Sequence, residues 1–198
     1  MFNLFKKKSS PPPPPPSDVR FEAFKEHWRQ IRYVLETTGP WATQKSRESI
    51  ESAVSSVRAH LNSLTELLVS ELRESTSLGS VFEYCFEEQL FKRLCVWALQ
   101  PGAYQSDRVV DQLRMYEALV ADSQRCILHD KPFLQPLFAL LAHHQAAPVH
   151  FEADEVVSQT LQSLCLWIGR DPTLLPVFFC MSEESQGEFL SFIVRCSY

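Results

Sequence analysis

The chain has 198 residues, 45% hydrophobic, 12% aromatic and 22% charged, a composition that supports one folded domain and excludes wholesale disorder. Net charge is −5. Lys6, Lys7 and Lys8 fall in residues 1–17, which hold no acid, so the remainder carries −8 and is poorly suited to the phosphate backbones of nucleic acid. The longest apolar run, Leu174 to Met181, is broken by Pro176 and is far short of the roughly 20 residues of a membrane span.

In chain order, the first element is a tail. Residues 1–17 place Phe2, Leu4 and Phe5 before the three lysines and then run into Pro11–Pro16, a stretch with no backbone donors that favours polyproline II. It lacks the apolar core of a signal peptide, and it reads as a disordered basic and polyproline tail. Such a tail serves as a spacer, as a ligand for an aromatic groove, or as a peripheral membrane contact.

Residues 18–198 read as all-helical. Phe21, Phe24, Trp28, Ile31 and Leu35 alternate steps of three and four, the stripe of an amphipathic helix, and Thr38-Gly39-Pro40 ends it. Val54, Val57, Leu61, Leu64, Leu68 and Leu72 repeat the pattern over roughly 47–74, with a break from Ser75 to Gly79. Ser80 to Gln100 is expected to form one helix, apolar on more than one side and therefore sandwiched, stopped by Pro101-Gly102. Ser106 and Asp107 are candidate caps for a fourth helix carrying Val109, Leu113, Tyr116 and Val120. Asp130 and Pro132 open a fifth, which Pro136 should kink or restart.

After a loop from Gln145 to His150, a sixth helix carries Val157, Leu161, Leu164, Cys165 and Ile168 on one face. Asp171-Pro172 starts a seventh short segment with Leu174, Leu175, Phe178 and Phe179, and an eighth begins near Ser182. With no strand-like alternation and no hairpin turn, the fold class is all-α: stacked antiparallel helices in an irregular, solenoid-like array of roughly eight. An echo between Leu94-Cys95-Val96-Trp97 and Leu164-Cys165-Leu166-Trp167 fits such stacking.

Chemical signatures are sparse. Glycine occurs only at 39, 79, 102, 169 and 187, too dispersed for a phosphate loop or a nucleophile elbow. Cysteines stand at 85, 95, 126, 165, 180 and 196; Cys85, Cys95 and Cys165 fall in apolar helical stretches, where cysteine packs as a small hydrophobe. This favours a reducing, cytoplasmic setting over a disulfide framework.

His143, His144 and His150, with Cys126 or Asp154, are the residues closest to a metal set. Adjacent helical positions diverge by about 100°, so a solvated loop is the better reading. Cys126 and His129 could form a thiol–imidazole pair, without any accompanying orienting group. Asp18 with Glu22, and Glu183 with Glu184, sit in first turns as helix-dipole partners. Hence no catalytic, cofactor-binding or metal-binding residue is assigned, no cofactor is expected, and the chain is read as a non-enzyme. Trp41 and Phe151 are candidate exposed aromatics, and Phe189, Leu190, Phe192, Ile193 and Val194 form an apolar segment that a partner or further sequence would cover.

Several stretches resemble one family, the FTS–Hook-interacting proteins. They are Phe24-Lys25-Glu26-His27-Trp28, the run Asp111-Gln112-Leu113-Arg114-Met115-Tyr116-Glu117-Ala118-Leu119-Val120, Leu128-His129-Asp130-Lys131-Pro132, Leu161 to Cys165, Asp171-Pro172-Thr173-Leu174-Leu175 with Phe178-Phe179, and Phe189-Leu190-Ser191-Phe192. The similarity covers about residues 20–194. It implies a non-enzymatic scaffold that joins Hook coiled-coil adaptors, with FTS, to endosomal vesicles through Rab GTPases. Family members are several times longer, so residues 18–198 look like a truncated N-terminal portion, and no partner-contacting residue can be carried over.

Overall fold

The computed structural model describes residues 17–37, 47–74, 79–122, 127–146 and 151–178; among them every regular element is helical. Helices α1 (Ser17–Thr37), α2 (Arg47–Glu74), α3 (Ser80–Glu87), α4 (Leu90–Leu99) and α5 (Gln105–Asp122) are followed by a 3₁₀ turn, Ile127–His129. Then come α6 (Lys131–Ala146) and α7 (Phe151–Arg170), with a last helical turn at 174–178. Among the described residues no helix is long and apolar enough to cross a membrane.

Side-chain pairs give the directions. Arg20 meets Glu74 and His27 meets His60, so α1 and α2 run antiparallel. Gln105 reaches Leu99, Arg108 reaches Trp97 and Gln112 reaches Leu94, so α4 and α5 are antiparallel as well. Tyr104 meets Glu51 and Arg58 meets Asp111, both 53 apart in sequence, which makes α2 and α5 parallel. Phe91 on Phe133 and Cys95 on Pro136 set α4 parallel to α6. The result is a stack of helix pairs in two layers, α2–α5–α7 in one and α4–α6 in the other, with α1 and α3 at the first edge.

The core follows the stripes. Phe24, Trp28 and Ile31 of α1 meet Val57, Leu61, Leu64 and Leu68 of α2, all essentially buried; each contributes about 1.5–3 kcal/mol by leaving water. Phe91, Tyr116 and Phe133 join α4, α5 and α6 as a triad, with centroids 5.0–5.9 Å apart, within the range of favourable ring pairs.

The helix expected over Ser80–Gln100 is two helices. Gln89 adopts φ 53°, ψ 38° between them, a left-handed conformation that costs about 1–2 kcal/mol in a residue bearing a Cβ. Glu88 beside it accepts from Trp28 Nε1 at 3.3 Å and Arg32 Nη1 at 3.1 Å, so contacts from α1 help hold a break that has neither glycine nor proline. The fourth helix starts before its expected caps: the Tyr104 carbonyl accepts from Arg108 N at 3.1 Å, leaving Ser106 and Asp107 inside the first turn. Pro136 does not restart α6, which continues through it to Ala146. The Asp130 carbonyl, as expected, receives Phe133 N and Leu134 N at the helix start.

In α7 the buried face is rotated from the expected one. Val156, Val157, Thr160, Leu161 and Leu164 are buried, an arc of about 140° at 100° per residue. Cys165 lies about 40° beyond its Leu161 edge and is exposed, not packed as expected. Thr160 tolerates burial because its hydroxyl donates to Val156 O at 2.8 Å. The tail through Pro16, the break at 38–40, Trp41, Ser75 to Leu78, the segment from Phe179 onward, and Cys126 and His150 lie outside the described residues. Ser17 is the first residue of α1.

Candidate functional site

Among the described residues, those considered for chemistry are spread apart or tied into structure. His143 and His144 belong to α6 and not to a solvated loop. His144 is buried with Nε2 2.8 Å from Asp154 Oδ1, linking α6 to α7, while His143 Nε2 lies 3.2 Å from Gln105 Nε2. His129 meets Asp171 at 2.9 Å. The Thr173 hydroxyl and then His129 hold the Asp171 carboxyl below its ordinary range, and Asp171 Oδ1 also accepts from Thr173 N at 3.0 Å, as a helix-start residue does. Among the described residues no three His, Cys, Asp or Glu side chains converge to hold a metal ion.

The two buried thiols are held as thiols. Burial pushes Cys95 up to about 11 and Cys85 well above its ordinary value, and Cys95 Sγ donates to Pro136 O at 3.6 Å. A protonated thiol is a poor nucleophile. These groups pack; they are not poised to react.

A buried polar ladder on α5 was not anticipated from the sequence. Arg108, Gln112 and Tyr116 recur every four residues and are all buried. Arg108 donates to Trp97 O at 2.9 Å and Gln100 O at 2.6 Å, with its guanidinium 5.1 Å from the Trp97 ring centroid. It thereby closes the carbonyl-rich end of α4, where a cation is favoured. Gln112 donates to Leu94 O at 2.5 Å. On the other side of α5, Asp111 accepts from Arg58 Nε at 2.8 Å. The only sequence signal was the four-residue spacing of polar groups within an otherwise apolar helix face.

This stapling leaves the outer side of α4 open. A groove of about 530 Å³ runs between α3–α4 and α6, with Phe86, Phe91, Leu99, Pro132 and Pro136 among its walls and Gln89, Lys92 and Gln135 at its polar positions. A second groove of about 280 Å³ separates α4 from α1, with Arg32, Leu35 and Trp97 among its walls. Val96, 57% exposed, lines both.

The sequence profile of the RAI16-like family, retinoic acid induced 16-like proteins, matches residues 81–191, more than half of the chain. The chain belongs to this family, the FHIP family. Among curated relatives, the FHF complex subunit HOOK-interacting protein 1A of Homo sapiens is 31% identical over 172 residues, 85% of this chain. The FHF complex subunit HOOK-interacting protein 1B of Mus musculus is 30% identical over 162 residues, 78% of the chain. The FHIP family protein GH13096 of Drosophila grimshawi is 27% identical over 179 residues, 85% of the chain. The alignment spans 16% of the length of each of these relatives.

The Asp111–Val120 run, one of the stretches that resemble the FHIP family, is the α5 stretch that fastens α2 and α4 through Asp111 and Gln112.

Proposed function

We propose that the chain works as a non-enzymatic scaffold segment of an FHF-type assembly, binding a Hook-family coiled-coil protein together with FTS. On this reading it acts in the cytoplasm, on endosomal vesicles selected by a Rab GTPase. Membership of the FHIP family, with relatives named as Hook-interacting subunits of the FHF complex, carries the proposal. The stacked helix pairs support it, because such stacks offer extended surfaces made of many helix faces.

The test is affinity capture of the tagged full chain from cytosol, read by mass spectrometry, beside a variant lacking residues 2–17. Recovery of Hook, FTS and a Rab with both forms supports the scaffold reading. Recovery of none of them with the full chain would overturn it.

A second reading is motivated by Phe2, Leu4 and Phe5 beside Lys6–Lys8: a peripheral membrane contact through the tail. One short tail binds a bilayer weakly, so flotation with anionic liposomes should drop when the tail is removed. Unchanged flotation removes this reading.

A further inference from the structure

His27 and His60 face each other across the α1–α2 interface, 33 residues apart in sequence, with their Nδ1 atoms 2.9 Å apart. Both residues are half-buried. His27 precedes buried Trp28 and His60 precedes buried Leu61, so two packed helices fix where the rings stand. As a hydrogen bond the contact needs one Nδ1 protonated and the other bare. With both protons on Nε2, the two lone pairs face one another and form a donor set for a metal ion. Burial first, then the neighbouring ring, holds His27 below its ordinary value of 6.5, which favours the neutral imidazole that ligation requires. The Glu26 carboxylate acts electrostatically on both rings and supplies negative charge beside a bound cation.

The ring positions decide which ion fits. Tetrahedral zinc holds imidazole nitrogens at about 2.0–2.1 Å, which sets two of them about 3.3 Å apart with their ring centroids about 5.2 Å apart. The centroids of His27 and His60 already stand 5.2 Å apart. The rings therefore have to turn and not to move. A tilt of roughly 35° in each opens the nitrogens by about 0.4 Å, and the terminal torsion of histidine is soft. We propose that His27 and His60 form a two-histidine site for zinc or a similar divalent transition-metal ion, which clasps α1 to α2. Among the described residues no third protein ligand converges there, so water fills the remaining positions. An ion that takes oxygen ligands, such as Mg²⁺, gains nothing from the pair. This inference stands apart from the Hook reading and uses no part of it.

The test uses the untagged full chain, stripped of metal with a chelator, into which zinc chloride or magnesium chloride is titrated near neutral pH. Calorimetry and thermal unfolding read the result. The proposal expects zinc to bind and to raise the melting temperature as its concentration rises, with no response to magnesium. His27→Gln and His60→Gln should each weaken zinc binding by about tenfold or more, while His143→Gln leaves it unchanged. A second measurement, imidazole nitrogen NMR of the wild-type chain during the zinc titration, does not depend on how the variants fold. It should show the Nδ1 resonances of His27 and His60 shifting together. Absence of any zinc-dependent heat or melting shift would overturn the proposal. So would an equal response to magnesium, equal zinc affinity in the wild type and both variants, or shifts confined to the other four histidines.

Discussion

Helix α3 is only eight residues long, and its N-cap residue, Gly79, supplies no side-chain cap. The acceptor comes instead from α2: Glu71 Oε1 receives Val81 N and Oε2 receives Phe82 N, each at 3.2 Å. Burial pushes the Glu71 carboxyl above its ordinary range, with the two backbone donors pulling it back only in part. Glu71→Ala leaves both N–H groups without that acceptor, and the loss of a cap of this kind costs about 1–2 kcal/mol. For a chain of this size the melting temperature should fall by about 2–8 °C. Glu71→Gln should cost less, because it keeps one acceptor oxygen and buries no charge.

The same geometry predicts a coupling. A Cβ at position 79 would stand 2.1 Å from Glu71 Oε1, the far end of a flexible side chain, so Gly79→Ala relieves the clash by expelling the carboxylate and forfeits the same two bonds. Gly79 lies at φ −89°, which alanine adopts freely, so no backbone strain adds to the cost. Gly79→Ala should therefore cost about 1–2 kcal/mol in the wild type and close to nothing in the Glu71→Ala background. Thermal unfolding of the four chains, followed by circular dichroism, measures the cycle. Equal costs for Gly79→Ala in both backgrounds, or an unchanged Glu71→Ala melting temperature, would refute the capping argument.

Three further outcomes are expected. His27 and His60 face each other through Nδ1 atoms 2.9 Å apart, and burial first, then the neighbouring ring, holds His27 below its ordinary value of 6.5. The unfolded chain then binds more protons as pH falls below about 6.5, so stability should decline there and His27→Gln should flatten that part of a melting-temperature profile between pH 7 and 5. Arg108→Met keeps aliphatic volume but loses the bonds to Trp97 O and Gln100 O; urea unfolding should show a loss of about 1–3 kcal/mol. Under native conditions a maleimide should label Cys165, which is exposed, well before Cys85 or Cys95, as peptide mapping would show.

Most of the helical architecture was legible wherever one helix face alone decides burial. The stripe from Val54 to Leu72 gave α2 as it stands, and Asp130 and Asp171 marked helix starts through the chemistry of their own positions. What escaped depended on neighbours distant in sequence. The α3–α4 break sits on Glu88 and Gln89, whose preferences do not announce it, and is held by Trp28 and Arg32 some 60 residues away. The α7 face turned toward Val156 and Thr160 because packing against α5 selects the arc, as the bond from Trp167 Nε1 to Val120 O at 2.8 Å illustrates. The internal echo survives as shared exposure, with Leu94 and Leu164 buried and Val96 and Leu166 at 57% and 56%, but not at Cys95 and Cys165. The groove was illegible for the same reason: its walls come from three helices, and only the stack brings them together.

On the scaffold reading, this helical stack is a partner-binding segment of an FHF-type assembly. Its most direct test is size-exclusion chromatography with light scattering on the purified full chain, mixed with a purified Hook-family coiled coil and FTS. A stoichiometric complex containing all three is expected. A chain that elutes alone at its own 22.8 kDa, while Hook and FTS elute without it, would rule that role out.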